Sequence, residues 1–295
     1  MILKDRNRKK SKCESGNRLI DMSNVMEKFS MAGSVAIVTG AAGLLGRQFS
    51  RTLAQAGAKV LLADLNVNAA QAQADTIRAE GLSAVACSVN VTDPQSTKAM
   101  VKKTIDLFGR LDVLVNSAAL DPKFDPQNQS AQSANAFENY SLQSWRDTMD
   151  VNLTGMFLVS QAAVVPMLVQ EQGVIVNISS IYGLVGPDQS IYCISGEREK
   201  FKPVDYSVTK AGVLGLTRYL AAYYAGKNIR VNALTPGGVY NEHDEGFVKN
   251  YSARAVMGRM AEIDEMNGAM LFLASNASSY MTGANLIVDG GWTAW

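Results

Sequence analysis

The 295-residue sequence has few of the side chains that build metal centres and disulfides: three cysteines and one histidine. The cysteines, at positions 13, 87 and 193, fit no CxxC spacing, and the histidine is His243. Structural zinc sites need several cysteines and histidines at short spacings, so the sequence predicts no metal site. Unpaired cysteines also favour a reducing, cytoplasmic location.

The sequence also lacks an excess of charge of one sign. Its 28 Lys and Arg nearly balance 27 Asp and Glu, which gives a formal net charge of +1. Nucleic-acid backbones are bound chiefly by surplus positive charge, so nucleic acid is not an expected partner. We find no run near the ~18 apolar residues of a membrane span and no apolar stretch typical of a signal peptide, so no membrane contact is expected.

Residues 1–25 differ in composition from the rest of the chain. They contain seven Lys and Arg against three Asp and Glu and show no sustained apolar period. Such a segment is predicted to be a flexible basic N-terminal tail. The remaining residues, 26–295, are predicted to form a single domain, because 47% hydrophobic residues can supply one large core.

Short apolar runs alternate with longer amphipathic segments from residue 34 onwards. Strands are predicted over 34–40, 59–64, 83–91, 111–118, 173–179, 229–235 and 285–291, and helices over about 43–57, 67–80, 94–108, 152–170 and 205–225. Continuous apolar runs are typical of strands that are buried on both faces of a parallel sheet. The alternation therefore predicts an α/β fold with a doubly wound, mostly parallel Rossmann sheet.

Two polar stretches, about 181–205 and 237–260, interrupt this alternation. Each follows the carboxyl end of a predicted strand, where ligands bind in open α/β sheets, so both are expected to be substrate loops. Their polar side chains are Asp188, Gln189, Tyr192, Glu197, Arg198, Lys200, Lys202, Asn241, Glu242, His243, Asp244 and Lys249. These favour a small, polar, sugar-like substrate, because each unpaired polar group beside an apolar ligand costs about 1 to 3 kcal/mol. A solvated surface loop is the alternative.

The first predicted strand leads into a glycine-rich turn, TGAAGLLG, at residues 39–46. Gly40 permits a tight turn, Gly43 and Gly46 permit close approach, and the following helix offers free N–H groups to a pyrophosphate. Asp64 lies 24 residues after Gly40, at the end of the second strand, where a carboxylate accepts ribose hydroxyls and repels a 2′-phosphate. The pattern predicts an NAD site. The alternative is that Asp64 caps the next helix.

Tyr206 and Lys210 lie at the start of the helix predicted over 205–225. Their i, i+4 spacing places both side chains on one face of that helix. A neighbouring cation lowers the pKa of a tyrosine from its usual value near 10. Such a tyrosine could transfer the proton of an alcohol while a nicotinamide carries the hydride. The YxxxK spacing alone is common in surface helices, so its meaning depends on the rest of the sequence.

Over about residues 30–295 the chain resembles the short-chain dehydrogenase/reductase family. The matching segments, in order, are TGAAGLLG at 39–46, Asp64, NSAA at 116–119, MDVN at 149–152, NISS at 177–180, YSVTK at 206–210, PGGV at 236–239 and DGG at 289–291. The resemblance implies a single-domain enzyme that transfers a hydride between NAD(H) and a secondary alcohol or ketone. It also implies a homodimer or homotetramer.

The resemblance further implies a catalytic tetrad and a set of cofactor contacts. Tyr206 would be the general acid/base, Lys210 would hold the nicotinamide ribose, Ser180 would bind the substrate oxygen, and Asn152 would support a water-linked proton path. Ser180 is chosen over Ser179 because the family's serine comes just after the fifth strand. The implied cofactor contacts are Gly40, Gly43, Leu44, Leu45, Gly46, Asp64, Leu65, Asn90, Val91, Asn116, Ala118, Ala119, Tyr206, Lys210, Pro236, Gly237 and Val239.

The sequence departs from the common family pattern in three places. Its glycines follow TGxxGxxG, as in the branch that processes nucleotide sugars, with Leu44 where the common branch has glycine. Ser180 and Tyr206 are 26 residues apart, more than is usual in the family, and Asn241 replaces a usual threonine. A nucleotide-sugar epimerase or dehydratase that retains NAD is therefore one alternative. A non-catalytic dinucleotide-binding scaffold is the other.

Overall fold

The structure is a computed structural model that describes residues 24–121, 135–192 and 201–295. Within these residues seven parallel strands form one sheet in the order β3-β2-β1-β4-β5-β6-β7. They are β1 Val35–Thr39, β2 Lys59–Asp64, β3 Ala84–Ser88, β4 Val113–Asn116, β5 Gly173–Ile178, β6 Ile229–Pro236 and β7 Asn285–Val288. The predicted doubly wound α/β sheet is confirmed.

Eight α-helices flank the sheet in the described residues. They are α1 Leu44–Gln55, α2 Val67–Ala79, α3 Pro94–Phe108, α4 Leu142–Met149, α5 Met156–Gln170, α6 Val204–Tyr223, α7 Glu245–Ser252 and α8 Asn267–Ala274. A π-helical turn, Asp150–Gly155, joins α4 to α5. Helix α7 lies within the 237–260 stretch that was expected to be a loop. That expectation was wrong because Asp244 caps the helix, accepting hydrogen bonds from the amides of Gly246 and Phe247.

Two apolar cores lie on opposite faces of the sheet. One contains Val38 of β1 with Phe49 of α1, and the other contains Ile37 of β1 with Val159 of α5. Alternate side chains of a strand point to opposite faces, so each central strand is apolar at most of its positions. The continuous apolar runs of the sequence therefore follow from a sheet that helices cover on both sides.

The strand order creates a crevice between β1 and β4. Strand β1 pairs with β2 on one side and with β4 on the other, so the chain leaves β1 and β4 in opposite directions. Gly40 follows β1 and Ala118 follows β4, and a Cβ on Gly40 would lie only 2.7 Å from the Ala118 Cα. The glycine-rich turn and the NSAA segment therefore lie side by side at the edge predicted to bind ligand.

Two helical segments bear on the expected N-terminal tail and on the expected absence of a membrane span. Asn24 caps a short 3-10 helix, Val25–Phe29, at the expected start of the domain, while residues 1–23 lie outside the described part, so the flexible tail stays a prediction. The continuous helical stretch Leu142–Gln170 is long and apolar enough to cross a membrane by length and composition alone. Half of its most apolar window is buried, with Val159, Ala163 and Met167 in the core.

Candidate active site

Three side chains of the implied tetrad meet at the carboxyl end of β5. The Lys210 ammonium lies 5.6 Å from the centre of the Tyr206 ring and donates a 3.0 Å hydrogen bond to the carbonyl oxygen of Ile178. The hydroxyl of Ser180 lies close enough to the Tyr206 phenol to lower its pKa as a hydrogen-bond donor. Helix α6 supplies Tyr206 and Lys210 from adjacent turns, and the turn after β5 supplies Ser180. The site therefore combines a hydroxyl, a phenol and an ammonium.

The adjacent serines have different surroundings. Ser179 Oγ donates a 2.8 Å hydrogen bond to the carbonyl oxygen of Lys210, which ties β5 to α6. Ser180 Oγ accepts a 3.2 Å hydrogen bond from the amide of Tyr182 and contacts the Tyr206 phenol. Of the two hydroxyls, the one on Ser180 therefore reaches the site.

Asn152 lies one layer behind these three groups, in the π-helical turn. Its Oδ1 accepts a 2.6 Å hydrogen bond from the amide of Leu120, and its Nδ2 donates to the Leu120 carbonyl at 3.0 Å and to Thr209 Oγ1 at 3.3 Å. Single π-helical turns are frequent at functional sites. Asn152 thus fixes the segment after β4 against α6, next to Lys210.

Burial dominates the ionisation of the site. It raises the pKa of Tyr206, and the negative charge of Asp121 raises it further, whereas the hydrogen bond from Ser180 opposes the rise. Burial also lowers the pKa of Lys210 to about 8, against the opposing effect of Asp121 and with a smaller contribution from Lys202. The sequence led us to expect that Lys210 would lower the pKa of the tyrosine, but the net shift is upward because burial of the Tyr206 phenol dominates it.

The glycine-rich turn has the shape of a phosphate cradle. Gly40 has φ +64°, and a Cβ on Gly46 would lie 2.1 Å from the Gly40 carbonyl oxygen, so neither position admits a side chain. Gly43 is the N-cap of α1 and provides no side-chain cap, which leaves the first amides of the helix open to an anion. Leu44 and Leu45 pack against the core, so the missing glycine at 44 leaves the cradle intact. These residues fit a dinucleotide pyrophosphate.

Asp64 ends β2 beside this cradle. Its carboxylate accepts a 2.9 Å hydrogen bond from the amide of Ala42 and another of 2.9 Å from the amide of Asn66. The alternative that Asp64 caps the next helix is wrong, because Asn66 is the N-cap of α2 and accepts from the amide of Ala69. Leu65 follows Asp64 and is 75% exposed. The two main-chain contacts hold the Asp64 carboxylate at the rim of the crevice.

The other implied cofactor contacts lie at the same edge of the sheet. Asn90 and Val91 follow β3, Asn116 ends β4 and precedes Ala118 and Ala119, and Pro236 ends β6 before Gly237 and Val239. Asn116 is buried and donates hydrogen bonds to Ser160 Oγ at 3.0 Å and Asn177 Oδ1 at 2.9 Å. Its Oδ1 has no hydrogen-bond partner among the described residues. Asn116, Val91 and Ala118 line a small cleft beside the crevice.

A second ammonium stands over the tyrosine. Lys202 Nζ lies 4.0 Å from the centre of the Tyr206 ring and forms an ion pair with Asp121. Lys202 was predicted only as one of a dozen polar loop residues. Its position four residues before Tyr206 could have indicated a shared location, but its partner Asp121 lies 81 residues away in the sequence.

Most of the other polar loop side chains that the structure describes are used within the protein. Asp188 pairs with Arg254 at 2.6 Å, Gln189 hydrogen-bonds the main chain of Lys202, and Asp244 caps α7. Aromatic rings of the two loops also pack together, with Phe247 stacked on Tyr192 and on His243. Three other polar loop residues, Glu197, Arg198 and Lys200, lie outside the described residues.

Comparisons with known proteins agree with this geometry. The family model described as enoyl-(acyl carrier protein) reductase matches residues 40–293. The trans-4-hydroxycyclohexanecarboxylate dehydrogenase of Sinomonas cyclohexanicum is 38% identical over 280 residues, which cover 92% of this chain and 97% of that protein. The chain belongs to the short-chain dehydrogenase/reductase family.

Other members of this family support the same assignment. The D-threitol dehydrogenase of Mycolicibacterium smegmatis is 35% identical and covers 90% of this chain and 95% of its own length. A gluconate 5-dehydrogenase from Burkholderia cenocepacia J2315, solved in complex with NADP and tartrate, superposes with a TM-score of 0.80. It is 29% identical and covers 92% of this chain and 100% of its own. The short-chain dehydrogenase described here is thus an oxidoreductase that acts on alcohols and binds a nicotinamide dinucleotide.

Proposed function

We propose that this short-chain dehydrogenase transfers a hydride between NAD(H) and the secondary alcohol or ketone of a small polar substrate. The observation that carries the proposal is the convergence of the Ser180 hydroxyl, the Tyr206 phenol and the Lys210 ammonium. The three groups lie at the carboxyl edge of the sheet, the same edge that carries the glycine cradle of α1. A proton donor and a dinucleotide site on one edge are what a carbonyl reduction needs.

Four residues have separate roles in the proton transfer to and from the substrate oxygen. Ser180 donates a hydrogen bond to the substrate oxygen and positions it at the phenol. Tyr206 gives its proton to that oxygen during reduction and removes it during oxidation. Lys210 stabilises the phenolate form with its positive charge, and Asn152 supports the proton path behind the lysine by holding Leu120 and Thr209 in place. A bound nicotinamide supplies or accepts the hydride at the carbinol carbon.

Asp64 supports a preference for NAD(H) over NADP(H). The open amides of α1 and the cradle of Gly40, Gly43 and Gly46 would hold the pyrophosphate, and the Asp64 carboxylate would accept the ribose hydroxyls. That carboxylate is held by the amides of Ala42 and Asn66, so a 2′-phosphate at the same place would meet a fixed negative charge. Asp64 favours NAD(H) even though a structural relative binds NADP.

The described loops favour a small substrate with a polar group. The prediction of a sugar-like substrate rested on many polar loop side chains. Most of those that the structure describes form ion pairs or hydrogen bonds within the protein. Lys202 and Asp121 remain as polar groups beside the tyrosine. Names of relatives include both a hydroxycyclohexanecarboxylate and a threitol dehydrogenase, and each of these substrates joins a secondary alcohol to a second polar group.

The exposed faces of α5 and α6 support association into a homodimer or homotetramer. Val165 and Val169 of α5 are 61% and 84% exposed, and Tyr219 and Tyr223 of α6 are 62% and 66% exposed. Apolar side chains grouped on a helix face are typical of a surface that another subunit covers. The free thiol of Cys87 is consistent with a reducing, cytoplasmic location.

A turnover screen tests the proposed function. Purified protein is mixed with NAD⁺ or NADP⁺ and a panel of polyols, sugar acids, hydroxy acids and cyclic secondary alcohols, and reduced cofactor is followed by absorbance. The proposal expects net formation of NADH with at least one of these alcohols. Conversion of substrate without net NADH would instead indicate an epimerase or dehydratase, and no conversion of any alcohol with either cofactor would contradict the proposal.

A further inference from the structure

We propose that Lys202 determines the substrate class by binding an anionic group of the substrate. The preferred substrates are then hydroxy acids and their oxo acids rather than neutral alcohols. This inference rests on the proposed dehydrogenase function and specifies the substrate of the same site.

The first support is the place of the ammonium. Lys202 is only 9% exposed, and its Nζ lies 4.0 Å from the centre of the Tyr206 ring and 6.0 Å from that of Tyr182. Contact with the ring faces holds an ammonium in place through the negative face of the aromatic system. A charge over the Tyr206 ring is also close to any substrate oxygen that the phenol contacts. An anionic group a few bonds from the carbinol carbon could therefore reach Lys202.

The second support is that hydrogen bonds to both the amide and the carbonyl group of Lys202 hold its main chain in place. The Lys202 amide donates a 2.9 Å hydrogen bond to Gln189 Oε1, and Gln189 Nε2 donates a 3.0 Å hydrogen bond to the Lys202 carbonyl. Pro203, which follows, is the N-cap residue of α6. Because its main chain is fixed, Lys202 loses less conformational entropy when a ligand binds, which favours specific recognition.

The third support is the unused hydrogen-bonding capacity of the ammonium. An ammonium has three N–H donors, and the acceptor for Lys202 Nζ among the described residues is Asp121. The Asp121 side chain is 53% exposed, so one face of this ion pair is open to solvent. Asp205, the fully buried carboxylate next to Tyr206, is bonded to the Tyr140 hydroxyl and the Tyr206 amide instead. A buried cation with spare donors is stabilised by a further anion.

The test compares acids with matched neutral compounds. Linear and cyclic hydroxy acids with two to four carbons between the functional groups are each paired with the corresponding carboxamide. Initial rates are measured with the unmodified protein, with Lys202→Met and with the control Lys227→Met, which alters an exposed lysine. We expect the unmodified protein and the control to prefer an acid over its amide by about tenfold or more in kcat/KM, because charge-assisted hydrogen bonds are about twice as strong as neutral ones.

In Lys202→Met this preference should vanish. The value of kcat/KM for the acid should fall by about tenfold to a hundredfold more than that for the matched amide, as expected for one lost charge-assisted contact. Equal losses for acid and amide would mean that Lys202 acts on Tyr206 rather than on the anionic group and would overturn the proposal.

Two further measurements keep the test decisive if Lys202→Met folds poorly. Asp121→Asn removes the competing carboxylate, so the KM for the acid should fall while that for the amide changes little. A saturated carboxylate without a hydroxyl should inhibit amide oxidation competitively, and more strongly in Asp121→Asn. Unchanged acid affinity in this variant, or neutral alcohols oxidised as well as acids by the unmodified protein, would overturn the inference and leave the dehydrogenase function standing. No oxidation of any alcohol would overturn the function itself.

Discussion

The Lys210 ammonium lies 5.6 Å from the centre of the Tyr206 ring, and burial lowers its pKa to about 8. In the unfolded chain this pKa returns to about 10.5. Between these two values the unfolded state binds more protons, so stability should rise with pH. The charged lysine therefore costs stability at neutral pH, and that cost falls as the pH rises from the folded-state pKa of about 8 to the unfolded-state value of 10.5.

Lys210→Met should remove this pH dependence. From pH 7.5 to 9.5 the free energy of unfolding should rise by about 2 kcal/mol more in the unmodified protein than in the variant. Urea denaturation of the unmodified protein and of the variant at the two pH values measures these free energies of unfolding. A parallel pH dependence in the two proteins would show that Lys210 is not desolvated as the structure places it.

Gly46→Ala should abolish dinucleotide binding. The new Cβ would lie 2.1 Å from the Gly40 carbonyl oxygen, so the glycine-rich turn must move. Gly268→Ala is a matched control, because no atom outside its own helix backbone lies within 4 Å of the added Cβ. Titration of tryptophan fluorescence with NADH should show binding in the control and a loss of about a hundredfold or more in Gly46→Ala, since misplaced donors lose most of their contact energy. Equal affinities would place the cofactor elsewhere.

Asp64→Asn should weaken the discrimination between cofactors. In the unmodified protein we expect kcat/KM to favour NAD⁺ over NADP⁺ by about tenfold or more, which corresponds to about 1.4 kcal/mol. The asparagine keeps the shape of the side chain and removes its charge, so use of NADP⁺ should improve. Steady-state rates with both cofactors and one alcohol measure the change. An unmodified protein that uses both equally would remove Asp64 from this role.

Much of the fold could be predicted because it is encoded locally. The apolar runs fix the seven strands to within a few residues, and the strand β2 Lys59–Asp64 was predicted with its observed bounds. The helix over Pro94–Phe108 was also predicted with its bounds, since Asp93 caps its start and Gly109 ends it. Helix α4 was missed because its eight residues have a mixed composition and continue into the π-helical turn.

The site was predictable where neighbours in sequence are neighbours in space. Tyr206 and Lys210 share a helix face, and Gly40 and Gly46 share one turn. The pairing of Lys202 with Asp121 was not predictable, because it depends on how two loops from different strands meet. The direction of the Tyr206 pKa was also missed, because a spacing shows a nearby cation but not the burial that outweighs it.

The most direct test of the proposed chemistry is the rate of alcohol oxidation in Tyr206→Phe. The variant keeps the ring and removes the hydroxyl that lies beside Ser180. Turnover should fall by about a hundredfold to ten-thousandfold, the usual contribution of a general acid/base, while NADH binding stays within about threefold. Tyr219→Phe, a change at a 62% exposed tyrosine on the same helix, should match the unmodified protein. Undiminished turnover in Tyr206→Phe would contradict the central claim.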